Sequence, residues 1–494
     1  MLRYSASVAV GVAVLASVMT MDRPKESSAL EVLFPLHVFK SDATLFDPRH
    51  IDTIFDYYLL ENLAVGLVRD SLESAAGYEG VLASHWEQLS PTLWNFFLRP
   101  NLEWSDGTPI TAKDIAQHFE DLLQEPSRHL TMLRTVKRIE TDGRHNIKFH
   151  FCHPTHAESI LHELSLADSA LIHPSNRHKD WSIVSGPYRV TAYDRPQKLL
   201  RLDANPKSAL YSPDAPQVVH LRALKNPPTE FNEVFLSQHF DLYRRPMFPF
   251  AADLRQIQAN APQTFVGSKT MSYFFAFNPE HPEVRSTQIR IGLKEFFRAV
   301  FDNLAFPDQI EHETQMIPAG YGGRITSSFP SSEGVGSIIG KRIDVVMDPI
   351  LRELAGVDSR VDECNRKFGT DVHFRYTEFW PRPKLTRSDL AYFSTLQGNQ
   401  KDPAGTWSFL FSMPEGDLAL FRNDVKREFD ALTSSVDEQN YRWAAHALHE
   451  RVLREAFAIP FAVEASAYLH SKRINIQRFN PFDMRMRFYQ IRWN

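Results

Sequence analysis

Residues with reactive or ligand-binding chemistry gather at a few places in this 494-residue sequence. The stretch FCHPTHAESILHEL supplies Cys152, His153, His156 and His162, types that ligate borderline metals such as zinc or nickel. The same letters describe a strand end, a Pro turn and a helix with surface histidines, and no metal is assigned to them. EGVGSIIGKR, Glu333 to Arg342, superficially suggests a phosphate loop. It lacks the glycine five residues before Gly340, carries Arg342 where Ser or Thr is needed, and precedes a strand instead of following one. That reading is rejected. TEFWPRPK places Trp380 and Arg382 just ahead of an apolar strand; an aromatic ring can stack on a ligand and a guanidinium can pair with a carboxylate, and a Pro-fixed surface loop is the alternative. Tyr57 and Tyr58 open a helix, and Tyr273 sits on a strongly apolar strand; in each case core packing competes with ligand contact.

No nucleophile elbow, zinc-protease pair, Walker motif or close carboxylate pair at a strand end is present. Twenty histidines and sixty acidic residues guarantee accidental neighbours, so no catalytic constellation is assigned and no cofactor is expected. A formal charge of −5 gives no basic footprint, which argues against nucleic acid as a partner. Cys152 and Cys364, far apart in the sequence, read as independent thiols rather than a disulfide framework.

The elements that would position these residues interleave. LEVLFPLHVF, Leu30 to Phe39, reads as a first strand, followed by a turn at Asp47-Pro48 and a helix carrying Tyr57 and Tyr58. TLWNFFLRPNLEW is a strand broken by Pro100; Ser105-Asp106-Gly107 is a turn, and Thr111 with Asp114 begins a capped helix over Ala112 to Leu123. HAESILHELSLADSALI predicts helix then strand, and Tyr188 to Asp203 a hairpin. QVVHLRALK, Met271 to Asn278, RIDVVMD, TDVHFRYTEF, DLAYFSTLQ and AIPFAVEASAYLH are further strands. Helices are expected over Thr287 to Asn303 and NYRWAAHALHERVLREA. The class is α/β.

Taken in order, these pieces resemble the bacterial extracellular solute-binding protein family 5, the oligopeptide, dipeptide and nickel receptors of ABC importers. The resemblance is carried by LASHWEQLSPTLWNFFLRPNLEWSDGTPITAKDIAQHFEDLL and by TLFDP, ENLAVGLV, SGPYRV, ANPKSALY, FFAFN, QIRIGLKEFF, MIPAGYGG and QKDPAGTWSFLFS. It covers nearly all of the chain after about residue 30. It implies a periplasmic-binding-protein type II bilobal flytrap with an additional inserted domain. The first lobe would combine residues 30–50, 180–268 and 470–494; the inserted domain would run over 51–179 and the second lobe over 269–469.

One departure bears on the ligand. Peptide-binding members of the family carry an Asp just before the DP pair, facing the peptide's amino terminus. In GNQKDP that place falls to Asn399, followed by Gln400 and Lys401. Asn399 hydrogen-bonds an amine but cannot neutralise it. Asp402 is read as holding its loop. The ligand-binding residues expected are Asn399, Gln400, Trp380, Arg382, Tyr58 and Tyr273.

The resemblance implies a monomeric receptor that delivers a small peptide to an ABC permease, with no enzymatic activity. The alternatives are a ligand-sensing component of a signalling system and a receptor for a non-peptide ligand such as a metal chelate. Arg3, the apolar run Val8 to Met21 and the polar residues beyond it have the layout of a secretory signal, removed between about Ala16 and Ala29. The expected location is the periplasm, without a lipid anchor because this segment holds no cysteine; an uncleaved membrane anchor is the alternative.

Overall fold

The computed structural model describes residues 29–35, 48–51, 54–74, 77–127, 130–178, 181–194, 196, 199–224, 240–244, 263–302, 304–306, 310–326, 329, 334–354, 356–377, 383–397, 402–412, 416–483 and 485–494. The expected leader segment lies outside them.

Local rules account for the starts of several elements. Thr111 accepts the Asp114 N–H while the Asp114 carboxylate accepts the Thr111 N–H at 2.8 Å, a complete capping box for helix Ala112–Gln124. In the preceding turn, Gly107 adopts φ 88°, and Asp106 Oδ1 accepts the Thr108 N–H at 2.9 Å. Ser286 and Asp437 are simple N-caps of helices Thr287–Phe301 and Glu438–Arg454, accepting the Ile289 and Asn440 N–H groups.

An eleven-stranded mixed sheet runs through the molecule. Its order is Asp371–Tyr376, Arg342–Met347, Asp389–Gln397, Gln263–Phe277, Ile459–His470, Leu242–Arg244, Leu30–Pro35, Val218–Leu224, Leu199–Ala204 and Tyr188–Asp194. Ile310–His312 pairs with Ile459–His470 off that path. Parallel units flank an antiparallel centre: Arg342–Met347 lies between two parallel neighbours, and so does Leu30–Pro35. At the centre, Gln263–Phe277 and Ile459–His470 pair from Gln263–His470 to Phe275–Ile459, with register breaks near Lys269 and Tyr273. A separate four-stranded antiparallel sheet is built from Ala83–Ser90, Leu93–Leu98, Asn146–Phe151 and Val136–Asp142.

Apolar side chains collect into three cores. One spans Met271 to Ala462 and is rich in stacked rings: Phe275 lies 3.8 Å from Phe297 and Phe301 4.3 Å from Phe461, centroid to centroid. A second joins Leu30 and Val32 to helix Ile54–Leu63, to the strands over 188–221 and to Phe488 and Ile491. The third, Val65 to Leu171, lies beneath the four-stranded sheet and helix Ala112–Gln124.

Two expectations need correction. HAESILHELSLADSALI forms helix Ala157–Glu163 and then a 3-10 turn at Ala167–Ser169; Leu171 makes only an isolated bridge to Val65. The strand expected from Met271 begins eight residues earlier, at Gln263. Gly267, Ser268 and Lys269 interrupt its apolar pattern, and the segment is held extended by its pairing with residues 465–470.

Candidate ligand-binding site

The two long central strands carry polar groups into an otherwise apolar sheet. Ser272, Glu464, Ser466 and Tyr468 are buried there, and Tyr273 is wholly enclosed. The Tyr273 hydroxyl donates to Glu464 Oε2 on the paired strand. Tyr58, on helix Ile54–Leu63, is also wholly enclosed, and its ring packs under the Arg244 guanidinium at 5.3 Å. Arg244 Nη2 donates to Ser466 Oγ at 3.1 Å. Tyr58 and Tyr273, two of the residues singled out from sequence, thus fall in one buried polar cluster around Arg244. Burial, partly opposed by Arg244, pushes Tyr58 up to about 12. Burial and then Glu464 hold Tyr273 well above the usual phenol range. These phenols stay neutral at physiological pH and serve as hydrogen-bond groups. Asn399, Gln400, Trp380 and Arg382 lie outside the described residues.

Asp402 is fully buried. Its Oδ1 accepts the Gly405 N–H at 3.0 Å and so holds the first turn of helix Pro403–Ser412. The same oxygen accepts the Tyr441 hydroxyl at 2.8 Å and the Ser159 hydroxyl at 2.7 Å. Ser159 lies on helix Ala157–Glu163, whose Ile160 and Leu161 belong to the Val65–Leu171 core. Ala404 and Tyr441 belong to the Met271–Ala462 core. Asp402 therefore ties its own loop and also joins two cores.

His156 continues the same seam. Its ring stacks on Tyr441 at 3.9 Å with 2° between planes, and its Nε2 lies 3.2 Å from Glu438 Oε2. His156, Glu158 and Glu438 are the one group of ligand-type side chains close enough for a metal among the described residues. His156 Nδ1 already accepts the Glu158 N–H at 3.4 Å, so Nε2 bears the hydrogen and donates to Glu438. That tautomer serves the contact between the cores and opposes a metal at Nε2. Cys152 is exposed, Cys364 is buried, and both are free thiols.

A buried ionic cluster escaped the sequence reading. Arg485 Nη1 donates to Glu61 Oε1 at 2.8 Å, and Arg487 Nη1 to Asp70 Oδ2 at 3.2 Å. Burial opposes ionisation of Asp70, yet Arg487 and Arg485 hold its carboxyl well below the usual range. Asp483 is pushed up to about 7, by burial first and then by Asp70. Arg485 also lies over the Tyr57 ring at 5.0 Å. The available signal was the alternation Asp483-Met484-Arg485-Met486-Arg487, which puts three charges on one face of an extended segment.

Residues 77–304 match the family model described as bacterial extracellular solute-binding proteins, family 5 Middle. The chain is 32% identical over 127 residues to the uncharacterized protein YbaE of Escherichia coli, covering 26% of this chain and 21% of that protein. It is 34% identical over 82 residues to the periplasmic oligopeptide-binding protein OppA of Salmonella typhimurium, covering 17% of this chain and 15% of OppA. These matches thus span about a fifth or less of the relatives' own lengths. In fold the likeness is nearly complete. The structure of Haemophilus influenzae OppA in complex with RPPGFSPFR superposes with a TM-score of 0.73 at 13% identity, covering 95% of this chain and 99% of that one.

Proposed function

We propose that this chain, whose residues 77–304 match the family 5 model of bacterial extracellular solute-binding proteins and whose fold follows the type II bilobal OppA structure over 95% of its length, is a solute receptor for an ABC importer, binding oligopeptides or dipeptides between its lobes. The observation that carries this reading is the pair of long strands, Gln263–Phe277 and Ile459–His470, that connects the cores and buries Tyr273, Glu464, Ser466 and Tyr468 along its length. Two crossing strands with register breaks make a hinge, and polar side chains beside a hinge meet a ligand that both lobes enclose.

In this reading the second lobe, about 269–469, turns about the hinge toward the first lobe, 30–50, 180–268 and 470–494, with the insertion 51–179 beside it. The separate cores support such a division, although helix Ile54–Leu63 packs with the first lobe's core. An extended peptide backbone pairs with strand edges, while Trp380 and Arg382 border the cleft. Asn399 and Gln400 receive the amino terminus by hydrogen bonds without a countercharge. Tyr58 and Tyr273, both wholly enclosed, back the inner end from within the fold. The closed form docks on the permease from the periplasmic side. No step requires bond chemistry. Micromolar affinity needs only about 8 kcal/mol net, within reach of a few satisfied backbone hydrogen bonds and one aromatic contact.

Native mass spectrometry of the gently purified protein, with release of whatever small molecule it retains, tests the proposal. A ladder of short-peptide masses is expected. One discrete non-peptide mass would replace the peptide by another ligand class, and protein that retains nothing and binds no added tripeptide would overturn the receptor reading.

A further inference from the structure

Arg244 is the last residue of strand Leu242–Arg244, which runs parallel to Leu30–Pro35 and antiparallel to the crossing strand Ile459–His470. It therefore stands at the carboxyl end of the first lobe's parallel strands, where the sheet changes from parallel to antiparallel. Ligands of open α/β sheets sit outside that end of the strands, at such a switch.

The side chain is 5% exposed. Its hydrogen bond is the one to Ser466 Oγ, and Nε is buried without an acceptor among the described residues. Among those residues it forms no ion pair, in contrast to Arg485 and Arg487, each of which meets at least two carboxylates. Glu464, on the strand beside it, is engaged by the Tyr273 hydroxyl. A buried guanidinium surrounded by neutral phenols is costly unless an anion arrives to pair with it. The fork of N–H donors on Arg matches the two oxygens of a carboxylate or the oxygens of a phosphate.

We propose that Arg244 is the anion-binding residue of the cleft, seating a carboxylate or phosphate of the ligand at the hinge between Tyr58 and Ser466. The assignment rests on the receptor reading above and narrows its ligands to anionic ones. A peptide would enter with its carboxyl end toward Arg244.

The test compares the full-length wild type with Arg244→Met and Arg244→Lys. Isothermal titration uses three probes: tri-alanine, tri-alanine amide and inorganic phosphate. Wild type is expected to bind tri-alanine at least tenfold more tightly than its amide if the source is a carboxylate, or to bind phosphate if it is a phosphoryl group. Arg244→Met is expected to lose at least tenfold for the favoured probe, and Arg244→Lys to recover part of that loss. The ligand-free thermal midpoint of Arg244→Met is expected to be unchanged or higher, because an unpaired buried charge has been removed. A fall of more than about 4 °C would make Arg244 a structural residue and overturn the proposal. Equal binding of tri-alanine and its amide, undiminished in Arg244→Met, would also overturn it while leaving the receptor reading intact. Failure of every probe, with no molecule retained on purification, would remove both.

Discussion

On the receptor reading proposed above, Ser159→Ala should shift the balance between closed and open forms while leaving each core intact. In the structure the Ser159 hydroxyl bonds Asp402 Oδ1 at 2.7 Å from a different core, while Tyr441 and Gly405 continue to satisfy that oxygen when Ser159 is gone. No buried acceptor is orphaned, so the loss is the net value of one hydrogen bond to a carboxylate, about 1.5 kcal/mol. That corresponds to roughly a tenfold shift toward the open form. The His156–Tyr441 stack and the His156–Glu438 contact remain, which is why the substitution weakens closure without abolishing it. Small-angle X-ray scattering of the ligand-free protein should show a larger radius of gyration in Ser159→Ala. Dissociation of the co-purified ligand should be faster by a similar factor. Tyr441→Phe and the double variant complete a cycle, and the two effects should be non-additive because both hydroxyls meet on Oδ1. Identical scattering and identical ligand release in Ser159→Ala and wild type would refute the view that this bond holds the second lobe against the insertion.

The sequence announced those parts of the fold whose cause is local. Thr111 and Asp114 start a helix with their own side chains, and Asp106-Gly107 makes its turn from a hydrogen bond and a positive φ. The apolar segment around Phe274 and Phe277 was readable as strand for the same reason, since its period and β-rich composition do not depend on the partner. Residues 263–270 were not readable, because their extended form comes from a strand 200 residues away. Long-range electrostatics hid the cluster of Glu61, Asp70, Arg485 and Arg487, whose acids and arginines are separated by more than 400 residues. The site divides along the same line. Tyr58 and Tyr273 stood out as aromatic residues at the edges of apolar runs. Arg244 did not, for nothing in DLYRRPMF distinguishes a surface arginine from one enclosed by Tyr58 and Ser466. Asp402 was legible as a loop-holding acid through the family resemblance, but its bond to Ser159 was not.

Two further substitutions test the packing that sets these distances. A Cβ on Gly186 would lie 2.3 Å from the Leu63 carbonyl carbon and 2.6 Å from the Ala64 nitrogen, both backbone atoms at the end of helix Ile54–Leu63. Gly186→Ala should cost about 3 kcal/mol, read as a lowered urea midpoint; an unchanged midpoint would mean that the helix end yields easily. His449 gives the protein a built-in pH dependence. Its Nε2 accepts the Met316 N–H at 3.1 Å and its Nδ1–H donates to the Gly323 carbonyl at 3.0 Å, so both ring nitrogens are committed in the neutral form. Burial, the dominant cause, depresses the imidazole to about 3. In the unfolded chain the group takes up its proton near pH 6.5. The folded state is thus the poorer proton binder, its full stability is present above about pH 6.5, and it is lost as pH falls from there toward 3. Between pH 6.5 and 5 the loss amounts to about 2 kcal/mol. The Gln amide offers one donor and one acceptor but does not titrate, so His449→Gln should show a shallower fall over that window. His162, depressed to about 4 by its own burial, is present in both proteins and cancels in the comparison. Equal pH slopes for wild type and His449→Gln would place the acid sensitivity elsewhere.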